Sequence, residues 1–211
     1  VIFETFPVGM LACNCTIIGD EESREAIVVD GGDGVSVVMA QLKRLRLHAK
    51  YLIHTHAHFD HIADVGGLRE QTRASALLHG ADLMIYHEQP KLARMFGLPE
   101  IPEPVELDGD LADGDRFTIG RVDVEVLHTP GHTPGSVCFC VKNETETKLV
   151  TGDTLFAGGI GRWDLGGTTM EDIVSSIHRK LMDYGDETPV IPGHGAFTTI
   201  GIERATNPYL V

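Results

Sequence analysis

Cations are scarce in this chain: 17 lysines and arginines stand against 31 aspartates and glutamates among 211 residues, for a formal charge of −14. Phosphate binding draws on clustered cations, so nucleic acid is not expected as a partner. Lys43, Arg44 and Arg46 form the one cluster, and it reads as the solvated face of a predicted helix. The acidity is dispersed, without the like-charge block that marks a disordered tail. Long apolar runs are also missing, and none approaches the roughly 20 residues that span a bilayer, so no membrane partner is expected. Val1 to Leu11 has neither the basic segment nor the apolar stretch of a secretory signal. Cysteine occurs only as two Cys-x-Cys pairs, Cys13/Cys15 and Cys138/Cys140, each inside a strand-like run. Alternate strand positions share a face, and neither pair has the Cys-x-x-Cys spacing of a thiolate metal site. Buried, reduced thiols and a cytoplasmic address are the expectation.

With 42% hydrophobic and 23% charged residues the composition is that of an ordinary globular protein, and the length suits one full-sized domain or two small ones packed closely. Strands are predicted at Phe3 to Val8, Cys13 to Ile18, Ala26 to Val29 and Tyr51 to Ile53, with Ala76 to Leu78 and Val105 to Leu107 as further candidates. Val35, Val38, Met39, Leu42 and Leu45 recur at helical spacing. Helical pieces are expected around Ala81 to Tyr86 and Lys91 to Phe96, and Pro90, Pro99, Pro102 and Pro104 mark this stretch as loop-rich. The second half repeats the style, with strands at Val122 to Val126, Val137 to Val141, Lys148 to Val150 and Pro189 to Ile191. Thr168 or Thr169 caps a helix striped by Met170, Ile173, Val174, Ile177 and Leu181, with Glu171 and Asp172 at capping-box offset. Two rounds of strands and helices predict two sheets back to back with helices outside, in one unit.

The densest chemistry lies in His54-Thr55-His56-Ala57-His58-Phe59-Asp60-His61, directly after an apolar strand. Imidazole and carboxylate at this density suit zinc, iron or manganese and have no good packing explanation. His54 is the doubtful member. Three further candidates stand at strand ends beside glycines: His132 in Pro130-Gly131-His132-Thr133-Pro134-Gly135, Asp153 after Gly152, and His194 in Pro192-Gly193-His194-Gly195. Glycine and proline there let the backbone turn sharply and hold a side chain into a cleft.

This ordered set, Thr-His-x-His-x-Asp-His, then Pro-Gly-His-Thr-Pro-Gly, Gly-Asp and Pro-Gly-His-Gly, resembles the metallo-β-lactamase superfamily. The resemblance implies a single α/β domain over residues 1–211 in a four-layer αββα sandwich, with two divalent metal ions, zinc first and iron or manganese as alternatives. Residue by residue, it implies that His56, His58 and His132 bind one metal and Asp60, His61 and His194 the other. Asp153 would bridge them, and Asp60 would orient the nucleophile as well. Asp30 and His128 are expected to support the ligands, while Arg162 and Trp163 are candidate substrate contacts, Arg162 with a salt bridge to Asp164 as its alternative and Trp163 with packing.

Within the superfamily the chain is most similar to short relatives of glyoxalase II, the hydroxyacylglutathione hydrolases, through Gly158 to Asp164, Pro192 to Thr199 and the tail Glu203-Arg204-x-x-Asn207-Pro208-Tyr209-Leu210. The implied activity is hydrolysis of a small acyl thioester such as S-lactoylglutathione. The chain departs from the pattern at Asp30-Gly31-Gly32, where many relatives have Asp-Pro-Gly. The helical carboxy-terminal domain that supplies much of the glutathione site in full-length enzymes is expected to be absent. A mononuclear Fe(II) persulfide dioxygenase on His56, His132 and Asp153 is the alternative; such enzymes typically carry Ala-His-Asp-Tyr at the last histidine. Secreted β-lactamase activity and a non-catalytic metal-binding module are remoter readings.

Overall fold

Period-two apolar patterning and two sets of parallel crossovers build the sheets. The computed structural model describes residues 1–95, 97–164 and 167–211, and the chain divides into two compact units, Val1–Leu111 and Ala112–Val211.

The first unit carries a six-stranded sheet in the order β1-β2-β3-β4-β5-β6: β1 (Ile2–Val8), β2 (Cys13–Gly19), β3 (Glu25–Val29), β4 (His48–Ile53), β5 (Ser75–Leu78) and β6 (Gly109–Asp110). The first three are antiparallel; from β3 to β6 the pairing is parallel. Parallel neighbours require crossovers, supplied by α1 (Val35–Leu45), by α2 (Phe59–Ile62) with α3 (Val65–Thr72), and by α4 (Leu83–Met95). The helical apolar spacing buries Val38 and Leu42 of α1, and Arg46 in the left-handed region ends the helix by turning its N–H back to Leu42 and Lys43. Val29 of β3 lies opposite Ile53 of β4, so Asp30 and His54 leave the sheet at the same edge.

Three expectations for this unit need correction. Pro90 is not in a loop but inside α4, and it is buried with Tyr86, Gln89 and Ala93; burial of that face offsets the backbone hydrogen bond that proline forfeits. The residue at the end of the second expected helical piece, Phe96, lies outside the described residues. Val105 to Leu107 form no strand: Val105 is instead held through the Tyr86 hydroxyl, which donates to its carbonyl and accepts from its N–H, and the last strand is Gly109–Asp110. β4 begins at His48, three residues before its apolar run, because the polar start is tied to β3 by backbone pairing rather than by burial.

The second unit carries the sheet β14-β13-β10-β9-β8-β7, made of β7 (Arg116–Ile119), β8 (Val122–His128), β9 (Val137–Lys142), β10 (Thr147–Gly152), β13 (Pro189–Pro192) and β14 (Thr198–Thr199). A separate hairpin pairs β11 (Leu155–Phe156) with β12 (Gly159–Ile160). α5 (Met170–Lys180) has the predicted capping box, with Thr169 and Asp172 as reciprocal partners. α6 (Ile200–Thr206), unforeseen in the sequence, is capped by Thr199. β8 is antiparallel to β9, β9 to β10, and β10 is parallel to β13. β8, β10 and β13 therefore run the same way, and the segments bearing His132, Asp153 and His194 leave at one edge of the sheet.

All four cysteines are free and buried, Cys13 and Cys15 in the core of the first unit and Cys138 and Cys140 in that of the second. Burial pushes the Cys13 and Cys138 thiols up to about 11, so neither is a thiolate at neutral pH. No helix among the described residues is long and apolar enough to cross a membrane.

Candidate metal centre

In the first unit the chain leaves β4 at Ile53 and turns through His54 to His58 into α2, so the donors are held by a strand end and a single helical turn. His56 and His61 are almost fully buried, at 1% and 0% exposure, and Asp60 is 8% exposed. His56 Nε2 and His58 Nδ1 lie 3.1 Å apart, and His61 Nε2 is 3.5 Å from Asp60 Oδ2.

The carboxylate of Asp30 fixes which nitrogens face outward. Its Oδ1 accepts the Thr55 N–H at 2.8 Å, and its Oδ2 accepts the Thr55 hydroxyl at 2.7 Å and His61 Nδ1 at 2.9 Å. Because the Thr55 hydroxyl gives its one proton to Asp30, it accepts from His56 Nδ1 at 3.0 Å. Both His56 and His61 thus carry their proton on Nδ1 and present a bare Nε2, the arrangement that outer partners impose on metal-binding imidazoles. Asp30 does this from a left-handed backbone, φ +54°, which aspartate tolerates better than most residues. Gly32 of the departing Asp-Gly-Gly segment passes so near the Asp60 carbonyl that a β-carbon would collide with it, and its N–H donates to the His61 carbonyl at 3.0 Å. Cys13 Sγ lies 3.5 Å from His61 Nδ1, and Cys13, Asp30 and His61 form a buried cluster.

Two buried side chains reached from beyond β5 grip the peptide between His56 and His58: Asp82 accepts the Ala57 N–H at 2.9 Å, and Gln89 donates to the Ala57 carbonyl. His54, buried beside the cluster, bonds the Leu77 carbonyl through Nδ1 at 3.0 Å, and burial holds its pKa below the usual value. That makes it a neutral structural histidine.

In the second unit one carboxylate faces two histidines. Asp153 Oδ2 is 3.6 Å from His132 Nε2, and Oδ1 is 3.8 Å from His194 Nε2. His132 Nδ1 donates to the Arg162 carbonyl at 2.7 Å, again leaving Nε2 bare. His128 donates through Nε2 to the Pro134 carbonyl at 3.0 Å, closing the turn that carries His132. The Arg162 side chain is exposed and pairs with Asp164 at 3.0 and 2.9 Å. Trp163 packs against Tyr209, with ring centroids 6.2 Å apart.

Two ligands on one cation, each at 2.0–2.2 Å and 90–120° apart, are separated by about 2.8 to 3.8 Å. The donor spacings in both units, from 3.1 to 3.8 Å, lie in that interval. With the outer nitrogens of His56, His61 and His132 already committed, the residues fit a divalent cation.

A family model described as the metallo-beta-lactamase superfamily matches residues 8–194. The chain belongs to the metallo-beta-lactamase superfamily. Its α/β fold, with two mixed sheets and helices, is that superfamily's fold. The chain is 35% identical over 209 residues to the Haemophilus influenzae hydroxyacylglutathione hydrolase GloC, covering 98% of this chain and 97% of that protein. It is 33% identical over 205 residues to the mitochondrial persulfide dioxygenase ETHE1 of Bos taurus, covering 94% and 72%. Among solved structures, BLEG-1 B3 metallo-beta-lactamase superposes with a TM-score of 0.88 at 34% identity, and TTHA1623 in a di-iron-bound form with 0.85 at 34%, each covering 100% of both chains. The superfamily's metal dependence agrees with the His and Asp donors described above.

Proposed function

We propose that the protein is a dinuclear metal-dependent hydrolase of small acyl thioesters, with His56, His58 and His132 for one ion, Asp60, His61 and His194 for the other, and Asp153 shared. The observation that carries this reading is the Asp153 carboxylate, whose two oxygens face two different histidines. Similarity to a hydroxyacylglutathione hydrolase along nearly the whole chain supports the substrate class. Zinc is our choice of metal, with iron or manganese accommodated by the same donors, and a cytoplasmic address suits four buried free thiols.

Two divalent cations at such a centre supply Lewis acidity toward a carbonyl oxygen and acidify water toward neutral pH. The chain's own part is to hold and aim. Asp30 and the Arg162 carbonyl lock the tautomers of His61 and His132, Asp153 would hold the two ions together, and Asp60 would orient the attacking water and take up its proton. Water oxygen adds to the acyl carbon, the carbon–sulfur bond breaks, and the leaving thiolate takes the proton given up by the water, giving a thiol and a carboxylic acid that releases its remaining proton to solvent as carboxylate.

A persulfide dioxygenase is the second reading, favoured by the likeness to ETHE1. A single-iron centre on His56, His132 and Asp153 would leave Asp60 and the oriented, buried His61 without a part. Elemental analysis of protein supplied with zinc, iron or manganese should approach two metals per chain, and the loaded protein should release thiol from S-lactoylglutathione or a simpler acyl thioester. A ceiling of one metal with full activity would contradict the dinuclear reading, and absence of cleavage in every metal form would remove the hydrolase.

A further inference from the structure

The tail Glu203-Arg204-x-x-Asn207-Pro208-Tyr209 has no part in the ligand set, yet Glu203 and Asn207 are fully buried polar residues. Burying a carboxylate is costly unless it is matched by donors, and Glu203 has three. Oε2 accepts the Gly158 N–H at 2.9 Å and Asn207 Nδ2 at 2.7 Å, while Oε1 accepts the Thr198 hydroxyl at 2.7 Å. Asn207 Nδ2 also donates to the Gly159 carbonyl at 3.1 Å, and its Oδ1 accepts the Tyr209 N–H at 3.1 Å. Gly158 lies in the turn between β11 and β12 and Gly159 opens β12, so the two buried side chains grip the tip of the hairpin by both an N–H and a carbonyl.

The gripped segment starts and ends on residues of the proposed centre. One residue, Thr154, separates Asp153 from the start of the hairpin, and one, Gly161, separates its end from Arg162, whose carbonyl fixes the tautomer of His132. The ends close on each other: Gly161 N–H donates to the Thr154 carbonyl at 3.4 Å, and a β-carbon at Gly161 would collide with the Asp153 carbonyl oxygen. Next to Arg162, Trp163 rests on Tyr209. The tail therefore touches the loop at its tip through Glu203 and Asn207 and near its base through Tyr209.

We propose that Glu203 and Asn207, assisted by Tyr209, are positioning residues that hold the Asp153–Arg162 hairpin in register and thereby set both the Asp153 carboxylate and the Arg162 carbonyl that orients His132. This rests on the reading of His132 and Asp153 as metal ligands. The neighbouring Arg204 has a different task. It pairs with Asp186 and donates to the Met182 and Tyr184 carbonyls, anchoring α6 away from the hairpin.

That difference supplies the control. In full-length protein, metal affinity is measured by chelator competition with zinc, together with the visible spectrum of the cobalt-substituted form and Tm, for wild type, Glu203→Gln, Asn207→Ala, Arg204→Ala and His132→Ala. Glu203→Gln keeps the shape but places an amide donor against donors, and Asn207→Ala is the milder variant should the first fold poorly. Both are expected to weaken zinc binding about tenfold, the lower end for losing an outer partner, and to alter the cobalt spectrum. Arg204→Ala should lower Tm with affinity and spectrum unchanged. If Asn207→Ala and Glu203→Gln lower only Tm, as Arg204→Ala does, while His132→Ala loses metal, the positioning role is overturned and the ligand reading stands. Unchanged metal binding in His132→Ala overturns both.

Discussion

Asp153→Ala is expected to lose on the order of 10³-fold in kcat/KM, about 4 kcal/mol of transition-state stabilisation, together with at least one metal per chain. The magnitude follows from its position: one carboxylate faces His132 through one oxygen and His194 through the other, so its removal strips both proposed ions of a ligand at once. His178→Ala, on the exposed face of α5, is expected to leave metal content and rate near wild type. Steady-state kinetics with metal analysis checks both. Equal losses in the two variants would mean that the site is globally fragile rather than organised around Asp153.

The second large effect is expected at Asp30, which accepts three buried hydrogen bonds and governs the outward nitrogens of His56 and His61. Asp30→Ala leaves the Thr55 and His61 donors unmatched and puts alanine into the left-handed region. It should cost at least about 2 kcal/mol of stability and 10- to 100-fold in metal affinity. Asp30→Asn separates the two contributions, since asparagine tolerates that backbone but presents an amide where two donors point. Metal affinity should still fall in Asp30→Asn while less stability is lost than in Asp30→Ala. Wild-type metal affinity in Asp30→Asn would show that Asp30 acts on the fold alone.

Much of this was legible because metal chemistry is written in side chains. His56, His58, Asp60, His61, His132, Asp153 and His194 stand out by residue type and by their position after short apolar strands. The strands that deliver them carry period-two or continuous apolar patterns that survive in the structure. What escaped the sequence depends on backbone or on distance. The partner of His132 is the carbonyl of Arg162, and no residue identity announces a carbonyl. Asp82 and Gln89 grip Ala57 from 25 and 32 residues away, with nothing in their local pattern to distinguish them from surface polar residues. Pro90 misled because its buried helix face outweighs the missing hydrogen bond. The short helices α2, α3 and α6 escaped because 4, 8 and 7 residues are too few for a full amphipathic repeat. Arg162 takes the alternative foreseen for it, its side chain paired at the surface with Asp164, and only the contact of its backbone carbonyl with His132 was out of the sequence's reach.

The most direct test of the hydrolase reading is the source of oxygen in the product. Metal-loaded protein turns over an acyl thioester in ¹⁸O-labelled water, under air and under nitrogen, and the released acid is weighed by mass spectrometry. The account predicts one labelled oxygen per carboxylate and the same rate in both atmospheres, with modest loss when glutathione is replaced by a smaller thiol. Thioester left intact in every metal form, with oxygen consumed only when glutathione persulfide is supplied and turnover halted under nitrogen, would contradict it and assign the centre to a dioxygenase.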